Sequence, residues 1–158
     1  MHEQNAILED NLKTFVGEKF NYYQQKWQLK PGQLTGFNVA AFFLGVVWLI
    51  YRKMYFYAVI FLILIALDFW IEMYYPLPEA FGMVINIAIA TTFGILGNTF
   101  YKTHAYKKVQ EISAANNATN LQAELSDKGG TNLVGAIAFG ITVLAIIAYA
   151  VYFILTHV

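Results

Sequence analysis

Asp68 is the residue of this chain with the least comfortable surroundings. It follows a run from Tyr55 to Leu67 that carries no charge, and no Lys or Arg lies in any of the long apolar runs to pair with it. An acidic side chain near the middle of a membrane helix costs about 2.5–3.5 kcal/mol on insertion scales, so such residues handle protons or cations, or clamp helices together. Asn86 falls at a matching depth on the next apolar run. The spacing predicts that Asp68 faces a helical bundle and is hydrogen-bonded to Asn86 or to a tyrosine such as Tyr149. Asp68→Asn separates the two readings: folding with lost activity supports a functional acid, and lost assembly supports a clamp.

A second cluster joins rings and cations: Trp48, Tyr51, Arg52, Lys53 and Tyr55. Amphipathic rings favour the membrane–water interface. Cations near an anionic surface each gain about 1 kcal/mol. Arg52 is the only arginine, and its guanidinium can grip a phosphate or a carboxylate through two N–H groups, which Lys cannot copy. The plainer reading is a cationic anchor at the cytoplasmic surface. Small residues form a third set. Gly45, then Ala90 and Gly94, then Ala136 and Gly140 stand where close helix approach in lipid favours Gly and Ala.

Other chemistries are excluded or unsupported. There is no cysteine, so thiolate, disulfide and iron–sulfur chemistry are absent. His2, His104 and His157 are far apart, and no metal-ligand spacing joins them. No nucleophile–base order suggests a catalytic residue, and no cofactor is expected. Formal net charge is zero, with ten basic and ten acidic residues, which gives no concentrated cationic face for nucleic acid.

The elements that must position these residues are helical. Of 158 residues, 58% are hydrophobic and only 13% charged, and the excess lies in long blocks, as in membrane spans. Residues 1–36 read as an amphipathic cytoplasmic helix and linker. Leu8, Leu12, Phe15, Val16, Phe20, Tyr23 and Trp27 recur at helical spacing, and Lys30-Pro31-Gly32 should end the helix. That apolar stripe suits packing on the rest of the protein, the membrane surface, or both. Residues 37–53 read as a short helix; the apolar part, 37–51, gives about 22 Å at 1.5 Å per residue, against a hydrocarbon core of about 30 Å. Residues 54–101 form a hairpin of two spans, 54–75 and 80–101, across the Tyr75–Glu79 turn. Residues 102–132 form a cytoplasmic helical excursion, broken at Asn116-Asn117-Ala118-Thr119-Asn120, and 133–158 hold a third span. The amino terminus lacks the basic start of a secretory signal, so the first span is expected to act as an uncleaved anchor.

Charge selects the topology. If 37–51 crosses the membrane, four lysines lie opposite Arg52 and Lys53. If it stays on the entry side as a re-entrant or interfacial helix, all ten basic residues share one side. Basic residues favour the cytoplasm, so three spans and a cytoplasmic amino terminus are expected.

The run from Phe37 to Tyr55 resembles the hallmark of a bacterial membrane family, the domain of unknown function 2628. The matching features are Asn38, Ala40-Ala41-Phe42-Phe43, Gly45, Trp48 and Tyr51-Arg52-Lys53-Met54-Tyr55. Further similarities are Phe15-Val16-Gly17, Tyr23, Trp27, Asn98, Tyr101, His104 and Gly129-Gly130-Thr131. Val39 stands where members often carry Trp, and Val46 where they carry Pro. The resemblance implies a small helical membrane bundle and assigns no catalytic residue.

The expected architecture is therefore an all-α integral membrane protein of the bacterial inner membrane. Its expected role is that of a non-enzymatic scaffold or accessory subunit, with the lipid bilayer, further copies of itself or a larger membrane complex as partners. The alternative is an oligomeric transport or channel component using Asp68 with Asn86, Thr91 and Thr92.

Overall fold

The structure, a computed structural model, describes residues 2–28, 35–75, 78–115 and 118–157. It is helical: α1 (His2–Val16), a short 3-10 turn (Gly17–Lys19), α2 (Phe20–Trp27), α3 (Val39–Leu44), α4 (Val46–Tyr51), α5 (Tyr55–Tyr74), α6 (Glu79–Ala115), α7 (Ala118–Lys128) and α8 (Leu133–His157). Three helices are long and apolar enough to cross a membrane: α5, α6 and α8. The expected stop at Lys30-Pro31-Gly32, the centre of the turn at Pro76-Leu77 and the first part of the expected break, Asn116-Asn117, lie outside the described residues; Ala118, Thr119 and Asn120, also expected to break the helix, instead open α7.

The amino-terminal apolar stripe turns inward. Leu12, Phe15, Val16, Phe20, Tyr23 and Trp27 are buried, and they pack on the second half of α6 through Tyr101, Ala105, Val109 and Ile112. The single helix expected there is two, because Gly17 adopts φ +74°, a left-handed conformation that only glycine enters cheaply. Helix α7 covers α1, with Leu125 fully buried. A polar clamp joins the same helices: Thr14 donates to Gln122 Oε1 at 2.6 Å, and Gln122 Nε2 donates to Asn11 Oδ1 at 3.0 Å. The core therefore gathers at one end of the molecule, the end that holds α1, α2, α4, α7 and the last turns of α6.

The segment from 37 to 53 is also broken in two. Gly45 takes φ 46° and ψ −115° between α3 and α4. A Cβ there would meet nothing within 4 Å, so Gly45 serves the turn and not the close helix approach expected of it. The break does not need a proline at position 46. The segment also returns to the level at which it began. Asn38 bonds to Asn98 and Arg52 lies over Tyr101. Three residues of α6 separate those two levels, about 4.5 Å at the helical rise. A chain crossing a layer of about 30 Å could not do this.

Helix α4 ends in a Schellman motif. Met54 N–H donates to the Leu49 carbonyl at 2.8 Å and Lys53 N–H to the Ile50 carbonyl at 3.0 Å. Lys53 has φ 56°, the one non-glycine residue with positive φ among the described residues. Met54 and Leu49, both buried, supply the apolar contact that accompanies this cap. The chain thereby reverses from α4 into α5. Asn132 then sets the start of α8: its N–H donates to the Tyr51 carbonyl at 2.8 Å, its Nδ2 donates to the Tyr55 hydroxyl at 2.8 Å, and its Oδ1 accepts from Gly135 N–H at 2.8 Å.

Away from this folded end the long helices are bare. Only 6% of the apolar window in each of α5 and α8 is buried, and 17% in α6. Helix α8 packs on α4 and forms no extensive face with α5 or α6 among the described residues. Between α5 and α6 the Phe61 and Phe93 rings meet at 4.1 Å between centroids.

Candidate functional site: a buried guanidinium beside an apolar groove

Arg52 follows the last residue of α4, and that position carries its side chain under α2 and α6. Its guanidinium carbon lies 4.6 Å from the Tyr23 ring centroid, 4.9 Å from that of Tyr101 and 5.3 Å from that of Tyr51. Trp48 stands one turn earlier on α4, with its ring 6.4 Å from that of Tyr101. Arg52 is only 5% exposed, and Nε and Nη1 have no hydrogen-bond acceptor. No carboxylate pairs with it among the described residues.

A buried ion without a counter-ion is costly. Here ring faces take the place of a carboxylate: a desolvated cation over an aromatic ring gains about 2 kcal/mol or more. Rings offset part of the lost hydration and leave the positive charge in place. The neighbours register it. Burial raises the Tyr23 hydroxyl above its ordinary pKa, and the charge of Arg52 opposes that rise. Among the described residues the Tyr101 hydroxyl is buried without a hydrogen-bond partner.

Beneath this cage lies a groove of about 700 Å³ between α4, the start of α3 and the first turns of α8. Lys19, Tyr23, Trp48 and Arg52 line one part of it, and Ile137, Ile141 and Leu144 of α8 another. Among the described residues no Asp or Glu lines it.

A satisfied polar network holds the cage from below. Asn38 caps α3, its Oδ1 accepting from Ala41 N–H at 2.9 Å, while its Nδ2 donates to Asn98 Oδ1 at 2.9 Å. Asn98 Nδ2 donates to the Thr35 and Gly36 carbonyls at 3.1 and 3.0 Å. The Asn98 carbonyl accepts from Trp27 Nε1 at 3.1 Å. Both asparagines are buried, and buried amides are tolerated when satisfied in this way.

The residues expected from sequence divide. Trp48, Tyr51 and Arg52 line the groove. Lys53 and Tyr55 turn to the other side of the α4–α5 reversal, where Lys53 Nζ donates to the Asp127 carbonyl at 2.7 Å. There they border a charged cleft of about 550 Å³ with His104, Lys108, Glu111 and Lys128. His104 itself is buried, 6.1 Å from the Phe15 ring and 5.9 Å from that of Tyr57.

Asp68 and Asn86 are not brought together. Asn86 is exposed and its Nδ2 donates to the Gly82 carbonyl of its own helix at 2.9 Å. Tyr149 is 68% exposed. Asp68 forms no hydrogen bond to either, because α5 and α6 meet mainly where Tyr57 and Phe61 face His104 and Phe93, and α8 packs on α4 instead. Of the small residues, Gly94 lies against Phe37, whose ring a Cβ would meet at 2.3 Å. The close approach it permits is to the segment entering α3, and not to another span. Ala136 is buried, Ala90 is partly covered, and Gly140 has nothing within 4 Å of a Cβ position. Among the described residues no group of His, Asp and Glu could hold a metal.

Tyr23, Asn38, Asn98 and Tyr101 belong to the site, although spacing alone did not mark them as one. A signal existed: Asn98 and Tyr101 interrupt the row of small and apolar residues that faces the core along α6.

The chain belongs to a family described as protein of unknown function (DUF2628), whose pattern matches residues 3–107. The match takes in the cage, the asparagine pair and the broken helix. No curated protein matches the chain, and no solved structure does.

Proposed function

We propose that the chain is an integral protein of the bacterial cytoplasmic membrane, and that it acts as a non-enzymatic scaffold or accessory subunit. Its amino terminus and folded end lie in the cytoplasm, and α5, α6 and α8 cross the bilayer. The observation that carries this reading is the uneven packing. One end has a satisfied, well-buried core, while three span-length helices leave it with little contact among themselves. Helices in lipid associate through close packing and interhelical hydrogen bonds. Spans that make few such contacts within one chain leave faces on which other transmembrane helices can pack.

Support for transport is weaker. Asn86 and Thr92 direct their polar groups to carbonyls of their own helix, Gly82 and Ala88. Among the described residues no side chain pairs with Asp68. A transported ion needs a line of polar partners through the bundle, and these residues do not form one.

Extraction in a mild detergent, with identification of co-purifying membrane proteins, tests the proposal. Stoichiometric recovery with a second protein, or as a defined oligomer, is expected. A strictly monomeric particle at native expression levels, with no cross-linked neighbour in intact membranes, overturns it.

A further inference from the structure

From the groove under Arg52 we infer a binding site for an anionic phospholipid of the same leaflet. The argument joins three observations. The first is charge. Arg52 and Lys19 line the groove and, among the described residues, no acid does, although the chain carries ten acidic residues and no net charge. The second is the state of Arg52. It is more than nine-tenths buried, held by rings and, among the described residues, paired with no carboxylate. Among the described residues this cation has no anionic partner, and it lines the groove. The third is polarity along the groove. It passes from Lys19, Tyr23 and Arg52 to Leu44, Val47, Ile137, Ile141 and Leu144.

Leu144 lies eleven residues into α8 from Leu133, about 17 Å at the helical rise. In a bilayer that path runs from the headgroup level into the hydrocarbon. A phosphate at the cationic end with an acyl chain on α8 matches both parts, and the volume of about 700 Å³ is that of an ordinary ligand site. A free anion would leave the apolar part empty, and a neutral lipid would leave Arg52 without its counter-ion.

Native mass spectrometry of the full chain tests this, after exchange into detergent doped with equal phosphatidylglycerol and phosphatidylcholine. One retained phosphatidylglycerol per chain is expected. Lys19 is exposed, so Lys19→Gln should leave the fold intact and lower the preference about fivefold, the effect of one cation near the headgroup. Ile141→Trp fills the apolar part from an exposed position and should abolish retention while helical content stays unchanged. Equal retention of both lipids overturns the inference, as does full retention by Ile141→Trp. Displacement by millimolar inorganic phosphate also overturns it, since that result assigns the site to a free anion. These outcomes depend on membrane residence and not on a protein partner, so they are read separately from the scaffold proposal.

Discussion

Asn38 Nδ2 donates to Asn98 Oδ1 at 2.9 Å across sixty residues of chain. The bond fixes the depth at which the broken helix meets α6, and every other polar group of both side chains is engaged. Asn98→Leu removes an acceptor and leaves the Asn38 amide and two carbonyls unsatisfied. Each buried group so stranded costs about 1–3 kcal/mol. Asn38→Ala loses the helix cap as well, worth about 0.5–2 kcal/mol. Thermal unfolding in detergent should show both variants strongly destabilised, and the double variant less destabilised than the sum, as for residues sharing one network.

Gly129 and Gly130 are neighbours with opposite tolerances. A Cβ at Gly129 would lie 2.0 Å from the Phe15 carbonyl oxygen and 2.8 Å from that of Leu125, both backbone atoms. At Gly130 it would meet nothing within 4 Å, and only the φ of +68° is adverse. Gly130→Ala should cost about 1–2 kcal/mol, the left-handed penalty. Gly129→Ala should cost more, at or above the top of the common range of about 0.5–3 kcal/mol. Proteolysis between α7 and α8 should report the lost docking.

Lys53 holds the left-handed position of the Schellman cap. Lys53→Gly should keep or slightly raise stability, since the conformational gain opposes loss of the bond to the Asp127 carbonyl. Lys53→Val places a β-branched side chain at positive φ and should destabilise by more than about 1 kcal/mol. Chemical unfolding of the two variants side by side distinguishes a backbone role from a charge role.

The absence of cysteine makes topology directly measurable. A single cysteine in place of Glu18 should react with an impermeant thiol reagent only after the membrane is opened. One in place of Tyr75 should react in intact spheroplasts. Reaction at Glu18 from the outer side removes the three-span orientation.

The readable parts of this fold were those with local periodicity. The stripe from Leu12 to Trp27 gave its buried face by spacing alone, and three long apolar runs became α5, α6 and α8. Breaks were harder. Gly17 and Gly45 each end a helix through backbone conformation, whereas apolar spacing continues across them. The site was partly legible. Arg52 stood out as a lone guanidinium, yet its rings arrive from α2, α4 and α6, and such convergence has no local signature. Asp68 is conspicuous because an acid in an apolar run is expensive, but cost identifies a position without supplying neighbours. Its expected partner, Asn86, bonds instead to its own helix, an option open to any asparagine four residues after a carbonyl.

Asn132 joins α8 to the folded end through Tyr51 and Tyr55, and below α4 that helix has little protein beside it. If α8 crosses a bilayer as proposed, this arrangement would make it a lever with a fixed fulcrum. Thinning or thickening of the membrane can change its tilt while the asparagine pair and the cage stay undisturbed. The wall of the groove formed by Ile137, Ile141 and Leu144 would swing with it. Occupancy of the cationic end would then follow the mechanical state of the surrounding lipid.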